Sequence, residues 1–408
     1  MRFIVQKFGG TSLRDEDSRE KAALKVIQAK QEGYCPVVVV SAIGRRGDAY
    51  ATDTLLDFAG HGKSEISPRE SDLLMACGEI ISGVLMSAII KKAGGLASFL
   101  TGAQAGIITD KEYNNARILR VNTENIIKLA GEGKIAVVAG FQGISEDGEV
   151  TTLGRGGSDV TAAALGVALD AEWIDIYTDV EGIMTADPRI VSEARPLERV
   201  TYNEICQLAR EGAKVVHPRA VEIAMQKGIP IRVKCTFSDA PGTIVASRGK
   251  VYKGIVDIKR DRTVTGITHI PDIAQFKILT KDSDGVTDFQ RRVFKALALA
   301  GISVDFINVH PEAVLFTVSN STCQKALEVL ENMGITPEVK KDCAKVAAVG
   351  AGMTGVPGVM AKIVEALASE NIQILQSADS YTSIWVLVRK EDMENSIRAL
   401  HRYFGPGE

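Results

Sequence analysis

Lys7-Phe8-Gly9-Gly10-Thr11-Ser12 arrives directly off the apolar run Phe3-Ile4-Val5, and the rest of the chain can be read outward from it. The pattern predicts a strand that ends in an anion-binding loop. Paired glycines let backbone N–H groups approach an oxyanion closely, two hydroxyls add donors, and a lysine at the end of the strand aims a full positive charge at the same spot. Phosphate is the guest such a loop suits. Alone, a Gly-Gly pair after a strand would be only a tight turn; the surrounding chain decides otherwise.

At 408 residues, 45% hydrophobic and 24% charged, the chain is ordinary globular material with room for two or three domains. A net charge of −3 gives no reason to expect nucleic acid or an anionic membrane as partner. The longest apolar runs, such as Ile135-Ala136-Val137-Val138-Ala139, are of strand length against the roughly 20 residues a membrane helix needs. No secretory pattern precedes the first strand, and the expectation is a cytoplasmic protein. Cys35, Cys77, Cys206, Cys235, Cys323 and Cys343 form no C-x-x-C pair, and the histidines are equally dispersed. No metal site of the protein's own is expected.

The first half alternates strand and helix. Helices are predicted over 15–31, from Pro68 to Gly94-Gly95, and over 123–129, 158–169 and 202–210; apolar strands over 37–41, 97–100, 134–139, 173–177 and 229–235. Continuous apolar strands separated by helices imply a parallel-rich sheet covered on both faces, with ligands at the carboxyl ends of its strands.

Beyond Ser238-Asp239-Ala240-Pro241-Gly242 and the charged stretch 250–262, the remaining chain reads as two similar units. The first has strands near 276–279, 301–307 and 314–318 and helices over 289–300 and 322–333. The second has strands over 345–349, 371–375 and 384–388 and helices over 359–369 and 393–403. A period of about 70 residues in βαββα order is a tandem repeat of a small α+β domain. Two lookalike motifs are set aside. Gly350-Ala351-Gly352-Met353-Thr354-Gly355 imitates a dinucleotide fingerprint, but roughly 50 residues follow it, too few for the crevice. Gly62-Lys63-Ser64 lacks the upstream glycine and strand of a P-loop.

Three further clusters carry chemistry. Gly154-Arg155-Gly156-Gly157-Ser158-Asp159 brings an arginine and free N–H groups to a helix start, a site for carboxylate or phosphate. Tyr177-Thr178-Asp179-Val180 leads into the polar loop Met184-Thr185-Ala186-Asp187-Pro188-Arg189, and Lys214 follows a helix ahead of a break at Pro218.

Together with Ser41-Ala42-Ile43-Gly44, Cys77-Gly78-Glu79, Thr101–Gly106 and Ala139–Gly143, these phrases resemble aspartokinase of the amino-acid kinase superfamily, in particular the bacterial monofunctional diaminopimelate-sensitive type. The tail resembles the family's paired ACT domains. The resemblance implies an α/β fold, a three-layer amino-acid kinase sandwich with a largely parallel sheet over 1–245, followed by two ferredoxin-like ACT domains over 263–341 and 345–408. It implies phosphorylation of the side-chain carboxylate of L-aspartate by Mg-ATP, the first step toward diaminopimelate, lysine, threonine and methionine.

By the same resemblance, Lys7, Asp159 and Lys214 are the catalytic set, with Asp159 orienting both lysines. ATP would be held by Lys7, Phe8, Gly9, Gly10, Thr11, Ser12, Thr178, Asp179, Met184, Thr185, Ala186, Asp187, Pro188, Arg189 and Lys214, with Mg²⁺ carried on the nucleotide. Aspartate would be held by Ser41, Thr52, Glu79, Arg155, Gly156, Gly157 and Ser158. An amino-acid effector, in the order meso-diaminopimelate, lysine, threonine, would bind near Gly301, Val304 and Asp305, and the ACT domains would build a homodimer. The first ACT unit lacks the proline that the second has at Pro357, so its effector pocket departs from the usual pattern. An acid kinase for another substrate such as glutamate, or a non-catalytic amino-acid sensor, are the competing readings; a sensor would have no use for Lys7 and Arg155.

Overall fold

β1 (Phe3–Phe8) leads into α1 (Glu16–Gln31), which Asp15 caps by accepting a hydrogen bond from the Ser18 N–H at 2.8 Å. β2 (Cys35–Val40) is buried along nearly its whole length, as a strand covered on both faces must be. After α2 (Thr52–Phe58) comes α3 (Pro68–Lys92), started by a capping box between Ser67 and Glu70 with Pro68 in its first turn. Then follow β3 (Ala97–Leu100), β4 (Ile107–Thr109), β5 (Ile118–Val121), α4 (Glu124–Gly131), β6 (Ile135–Ala139), β7 (Gln142–Ser145), β8 (Val150–Thr152), α5 (Gly157–Ala168) and β9 (Trp173–Thr178). β10 (Arg199–Val200), α6 (Tyr202–Arg210), α7 (Pro218–Lys227), β11 (Ile231–Cys235) and β12 (Thr243–Val245) complete this part.

The computed structural model describes residues 1–60, 65–213, 215–247, 263–279, 286–350, 353 and 356–407. Lys214, the linker 250–262, the Gly62-Lys63-Ser64 lookalike, most of the Gly350–Gly355 lookalike and the segment 280–285 leading into the first tail helix lie outside the described residues. The chain forms two compact units: Met1–Met184, Pro196–Arg210 and Lys214–Lys259 in one, Thr185–Arg195, Glu211–Ala213 and Arg260–Glu408 in the other.

In the first unit an eight-stranded sheet has the order β10-β12-β11-β9-β1-β2-β6-β3, parallel except where β12 runs antiparallel to β11. α1 and α3 cover one face through Ala22, Val26, Met86 and Ile90 against Val38, Val40 and Val137. α5 lies on the other, so close that a Cβ on Gly166 would come within 2.5 Å of Ile174. A second sheet, β5-β4-β7-β8, was not legible from the pattern because its strands are only three or four residues long. Pro218 also differs from the expected break. It opens α7, because a first-turn position needs no N–H donor.

By length and composition the 25-residue α3 is apolar enough to cross a membrane, contrary to the strand-length runs expected; half of its apolar window is buried inside the fold, where it serves as a core helix.

The second unit holds β13 (Gly266–Leu279), α8 (Val286–Leu299), β14 (Asp305–Val309), β15 (Ala313–Ser319), α9 (Asn320–Glu331), β16 (Glu338–Val349), α10 (Val359–Ala368), β17 (Gln376–Ser380), β18 (Ser383–Arg389) and α11 (Met393–Phe404). The expected βαββα repeat is present twice, and both copies share one sheet of order β14-β15-β13-β16-β18-β17. β13 and β16 pair antiparallel at its centre, so each repeat hides an edge of the other. Both central strands extend well upstream of the apolar stretches expected, and the second strand of the second repeat starts at Gln376, after the phrase 371–375. Thr185–Arg195 belongs to this unit: Ala186 and Val191 join its core with Ile363 and Leu400.

Candidate active site

β1 lies between β2 and β9, where the chain order of the sheet diverges, and such a switch point opens a crevice at the carboxyl ends of the strands. Backbone bonds tie the loops that leave these ends. Gly9 donates to the Tyr177 carbonyl at 3.2 Å, Ser41 to Phe8 at 3.1 Å and Gly140 to Val40 at 3.0 Å. Gly10 must be glycine, since a Cβ there would lie 2.4 Å from the Gly44 carbonyl oxygen and 2.7 Å from that of Ala42.

A cleft of about 940 Å³ opens here. Among the residues expected from sequence it gathers Lys7, Gly10, Ser41, Thr52, Glu79 and the run Arg155–Asp159. The Lys7 ammonium sits 2.8 Å from Asp159 Oδ1, both largely shielded, and Asp159 Oδ2 accepts from the His217 N–H at 3.2 Å. Arg155 is exposed and makes no hydrogen bond or ion pair among the described residues. Its loop is shaped by Gly156, at φ +71°, where a Cβ would strike the His217 side chain at 2.4 Å. Burial keeps that imidazole below the usual histidine range.

Glu79 is buried in the middle of α3. Its Oε1 accepts from the Ala42 N–H at 2.9 Å, while Oε2 has no hydrogen-bond partner. Burial pushes its pKa up to about 8. A buried carboxylate with one free oxygen at a cleft wall is a receptor for a cationic donor.

The rest of the glycine loop divides. Phe8 is wholly buried and stacks on Tyr177 at 4.7 Å, and the Ser12 hydroxyl is buried against Thr236 Oγ1 at 2.7 Å. Thr11 and Asp179 instead line a neighbouring cleft of about 580 Å³. Arg14, Arg45 and Arg46 line it too, none of them singled out from sequence. The available signal was the Arg45-Arg46 pair directly after Ser41–Gly44. Arg45 pairs with Asp179 at 2.8 Å, and Thr178 donates to Asp179 at 3.2 Å.

Met184 bridges to Pro196 within the first unit. From Thr185 onward the expected nucleotide loop belongs to the second unit. Thr185 is fully buried, its hydroxyl accepting from the Arg195 N–H at 3.1 Å and bonded to His401 Nε2 at 2.9 Å; the Ala186 side chain is in the core. Pro188 and Arg189 are exposed, and the Arg189 guanidinium, 2.7 Å away, holds the Asp187 carboxyl below the usual range.

In the tail, Gly301 takes φ +69° just after α8, Val304 is half-buried, and Asp305 starts the edge strand β14. The Asp305 carboxylate accepts from the Phe306 N–H at 2.8 Å and pairs with Lys345 at 3.1 Å. Lys345 is buried, 2.9 Å from Glu211 and 4.5 Å above the Trp385 ring. Sequence reading missed Lys345; its only signal was a lysine at the head of an apolar strand. Among the described residues no group of three His, Cys, Asp or Glu could hold a metal ion.

Sequence and fold are shared with known proteins. The amino acid kinase family pattern matches residues 2–235, and an ACT domain pattern matches 338–402. Aspartokinase 1 of Bacillus subtilis is 52% identical over 406 residues, covering 99% of each chain. Aspartokinase III of Escherichia coli, solved with aspartate and ADP (R-state), superposes with a TM-score of 0.77 at 26% identity, over 98% of this chain and 99% of that one. The same protein with lysine and aspartate (T-state) gives 0.75 at 26% identity, with the same coverage. With a lysine-bearing glycine loop at a sheet switch point, an ACT-type tail and identity sustained from end to end, this chain belongs to the aspartokinases of the amino acid kinase family.

Proposed function

We propose that the cleft at Lys7, Glu79 and Arg155 is where this aspartokinase transfers the γ-phosphoryl group of ATP to the side-chain carboxylate of L-aspartate, giving 4-phospho-L-aspartate and ADP. The carrying observation is a pair of complementary groups left unsatisfied on one cleft. Arg155 offers a free guanidinium to an α-carboxylate, and Glu79 offers a free buried oxygen to an α-ammonium. Ser41, Thr52, Gly156, Gly157 and Ser158 complete the aspartate side. That aspartate and ADP are seen together on the E. coli enzyme supports the assignment.

The nucleophile needs no general base, because an aspartate side chain with a pKa of about 3.9 is already ionised at neutral pH. A carboxylate oxygen attacks the γ-phosphorus, the new O–P bond forms as the bond to the β,γ-bridging oxygen breaks, and ADP leaves with that electron pair. The obstacle is repulsion between two anions, which the Lys7 ammonium and the N–H groups of Gly10 and Thr11 oppose. Asp159 holds Lys7 in place, and Lys214 is assigned as the second lysine by resemblance alone. Thr178, Asp179, Met184, Asp187, Pro188 and Arg189 are assigned to the nucleotide, with Thr185 and Ala186 contributing through their backbones. A Mg²⁺ ion carried on the phosphates would supply further charge neutralisation there.

The tail makes the enzyme responsive to an amino-acid effector. Its identity, in the order meso-diaminopimelate, lysine, threonine, its place at Gly301, Val304 and Asp305, a homodimer through the ACT domains and a cytoplasmic setting without nucleic-acid or membrane partners are parts of the same reading. Lysine on the E. coli T-state enzyme supports an amino acid of this class. Boundaries of 1–245, 263–341 and 345–408 serve as the working domain division. An ATP-consumption assay across aspartate, glutamate and N-acetylglutamate tests the reading: turnover is expected with aspartate, and preference for either of the others would overturn it.

A further inference from the structure

Asp72 is fully buried in the second turn of α3 and has no cationic partner among the described residues. Its carboxylate is satisfied by donors from two distant segments. Thr152 gives its hydroxyl at 2.6 Å and its N–H at 2.8 Å, and the Asn114 N–H reaches both oxygens at 3.0 and 3.1 Å. Burying a carboxylate without a counter-charge is costly unless such bonds are complete, so an acid here calls for a reason.

The reason lies in what the donors carry. Thr152 ends β8, three residues before Arg155. Asn114 lines the cleft at φ +65°, and its carbonyl oxygen lies 3.0 Å from where a Cβ on Gly154 would stand. Arg219 of α7 grips the same strand end from the other side, donating to the Leu153 carbonyl at 2.9 Å and the Ala116 carbonyl at 3.3 Å. The backbone leading to Arg155 is therefore clamped, while the Arg155 side chain is left free.

α3 also carries Glu79, seven residues after Asp72. Two helical turns return to nearly the same face, so one rigid helix face presents the ammonium receptor and the anchor of the Arg155 strand. We infer that Asp72 is a positioning residue that fixes the spacing between Glu79 and Arg155, and so the fit of a substrate's α-ammonium and α-carboxylate. The inference rests on the aspartate reading of the cleft given above.

Asp72→Asn keeps the shape and turns an amide NH₂ toward one of the donors. KM for aspartate is expected to rise about tenfold or more while KM for ATP stays within about twofold, because only the aspartate subsites move. Should that variant fail to fold, Thr152→Val removes a single donor. It is expected to raise KM for aspartate several-fold, with Thr152→Ser, which keeps the hydroxyl, within about twofold of the parent. A parallel rise in both KM values, or none for aspartate in a folded variant, overturns the inference. Arg155→Lys is measured alongside. If it raises KM for aspartate and the Asp72 and Thr152 variants do not, the positioning role falls and the cleft assignment stands. If Arg155→Lys itself leaves KM for aspartate unchanged, the cleft assignment falls and this inference with it.

Discussion

The Lys7 ammonium and the Asp159 carboxylate meet at 2.8 Å on the wall of the cleft, one at the end of β1 and the other in the first turn of α5. With both groups largely withdrawn from water, the pairing fixes an otherwise flexible side chain where phosphoryl charge develops, and no reorganisation is left for the moment of reaction. Lys7→Ala is expected to lower kcat more than tenfold, over about 1.4 kcal/mol of barrier, with an unchanged circular dichroism spectrum. A smaller loss would remove Lys7 from the transferring group.

Arg155→Lys keeps the charge and discards the planar fork. A point charge cannot reproduce two parallel N–H···O bonds to a carboxylate, so KM for aspartate is expected to rise far more than KM for ATP. Steady-state kinetics with each substrate varied in turn decides it, and equal rises would move Arg155 out of the aspartate subsite.

Glu79 gives the site a pH dependence. Its folded-state pKa of about 8 lies above the unfolded value, so the empty enzyme binds a proton that the unfolded chain releases. From this group, stability is fully present below the unfolded carboxylate range and is lost as pH rises toward 8. An ammonium ligand needs the ionised form, so binding releases the proton, and KM for aspartate should fall as pH rises from 6 to 8, by up to tenfold per unit. Glu79→Gln is expected to raise KM and flatten both profiles. A KM for aspartate in the parent enzyme that is independent of pH over this range would show that Glu79 does not meet the ammonium.

Much of the first unit was legible because central parallel strands such as Val37–Val40 advertise themselves, and because Lys7, Gly10, Glu79 and Arg155 sit in contiguous phrases whose chemistry is local. What escaped reading depends on pairing at a distance. Asp72 finds its donors 42 and 80 residues away, and nothing in its neighbourhood marks it as more than an exposed acid early in a helix. Arg219 follows Pro218, whose role as a helix start only the fold reveals. The upstream half of β16 is half solvent-facing and charged through Lys340, Lys341 and Asp342, which masks a strand under a loop-like composition. Thr185 has the polarity of a ligand residue, and its hydroxyl is bonded to His401, 216 residues on.

The last prediction concerns the tail. Asp305 has the side-chain charge to receive an effector's ammonium, and its partner in the structure is itself an ammonium, that of Lys345 at 3.1 Å. Lys345 has a second carboxylate, Glu211, at 2.9 Å and the Trp385 ring beneath it, so it can release Asp305 without being stranded as a bare buried cation. An incoming amino acid would compete with Lys345 for Asp305, and regulation follows only if the two occupancies belong to states of different affinity. Asp305→Ala is therefore expected to raise the inhibitory concentration of the effector about tenfold or more and to leave uninhibited turnover within about twofold. Titrating meso-diaminopimelate, lysine and threonine against both proteins checks this. Inhibition of the same midpoint in the variant, or indifference of the parent enzyme to all three amino acids, would remove the effector from Asp305.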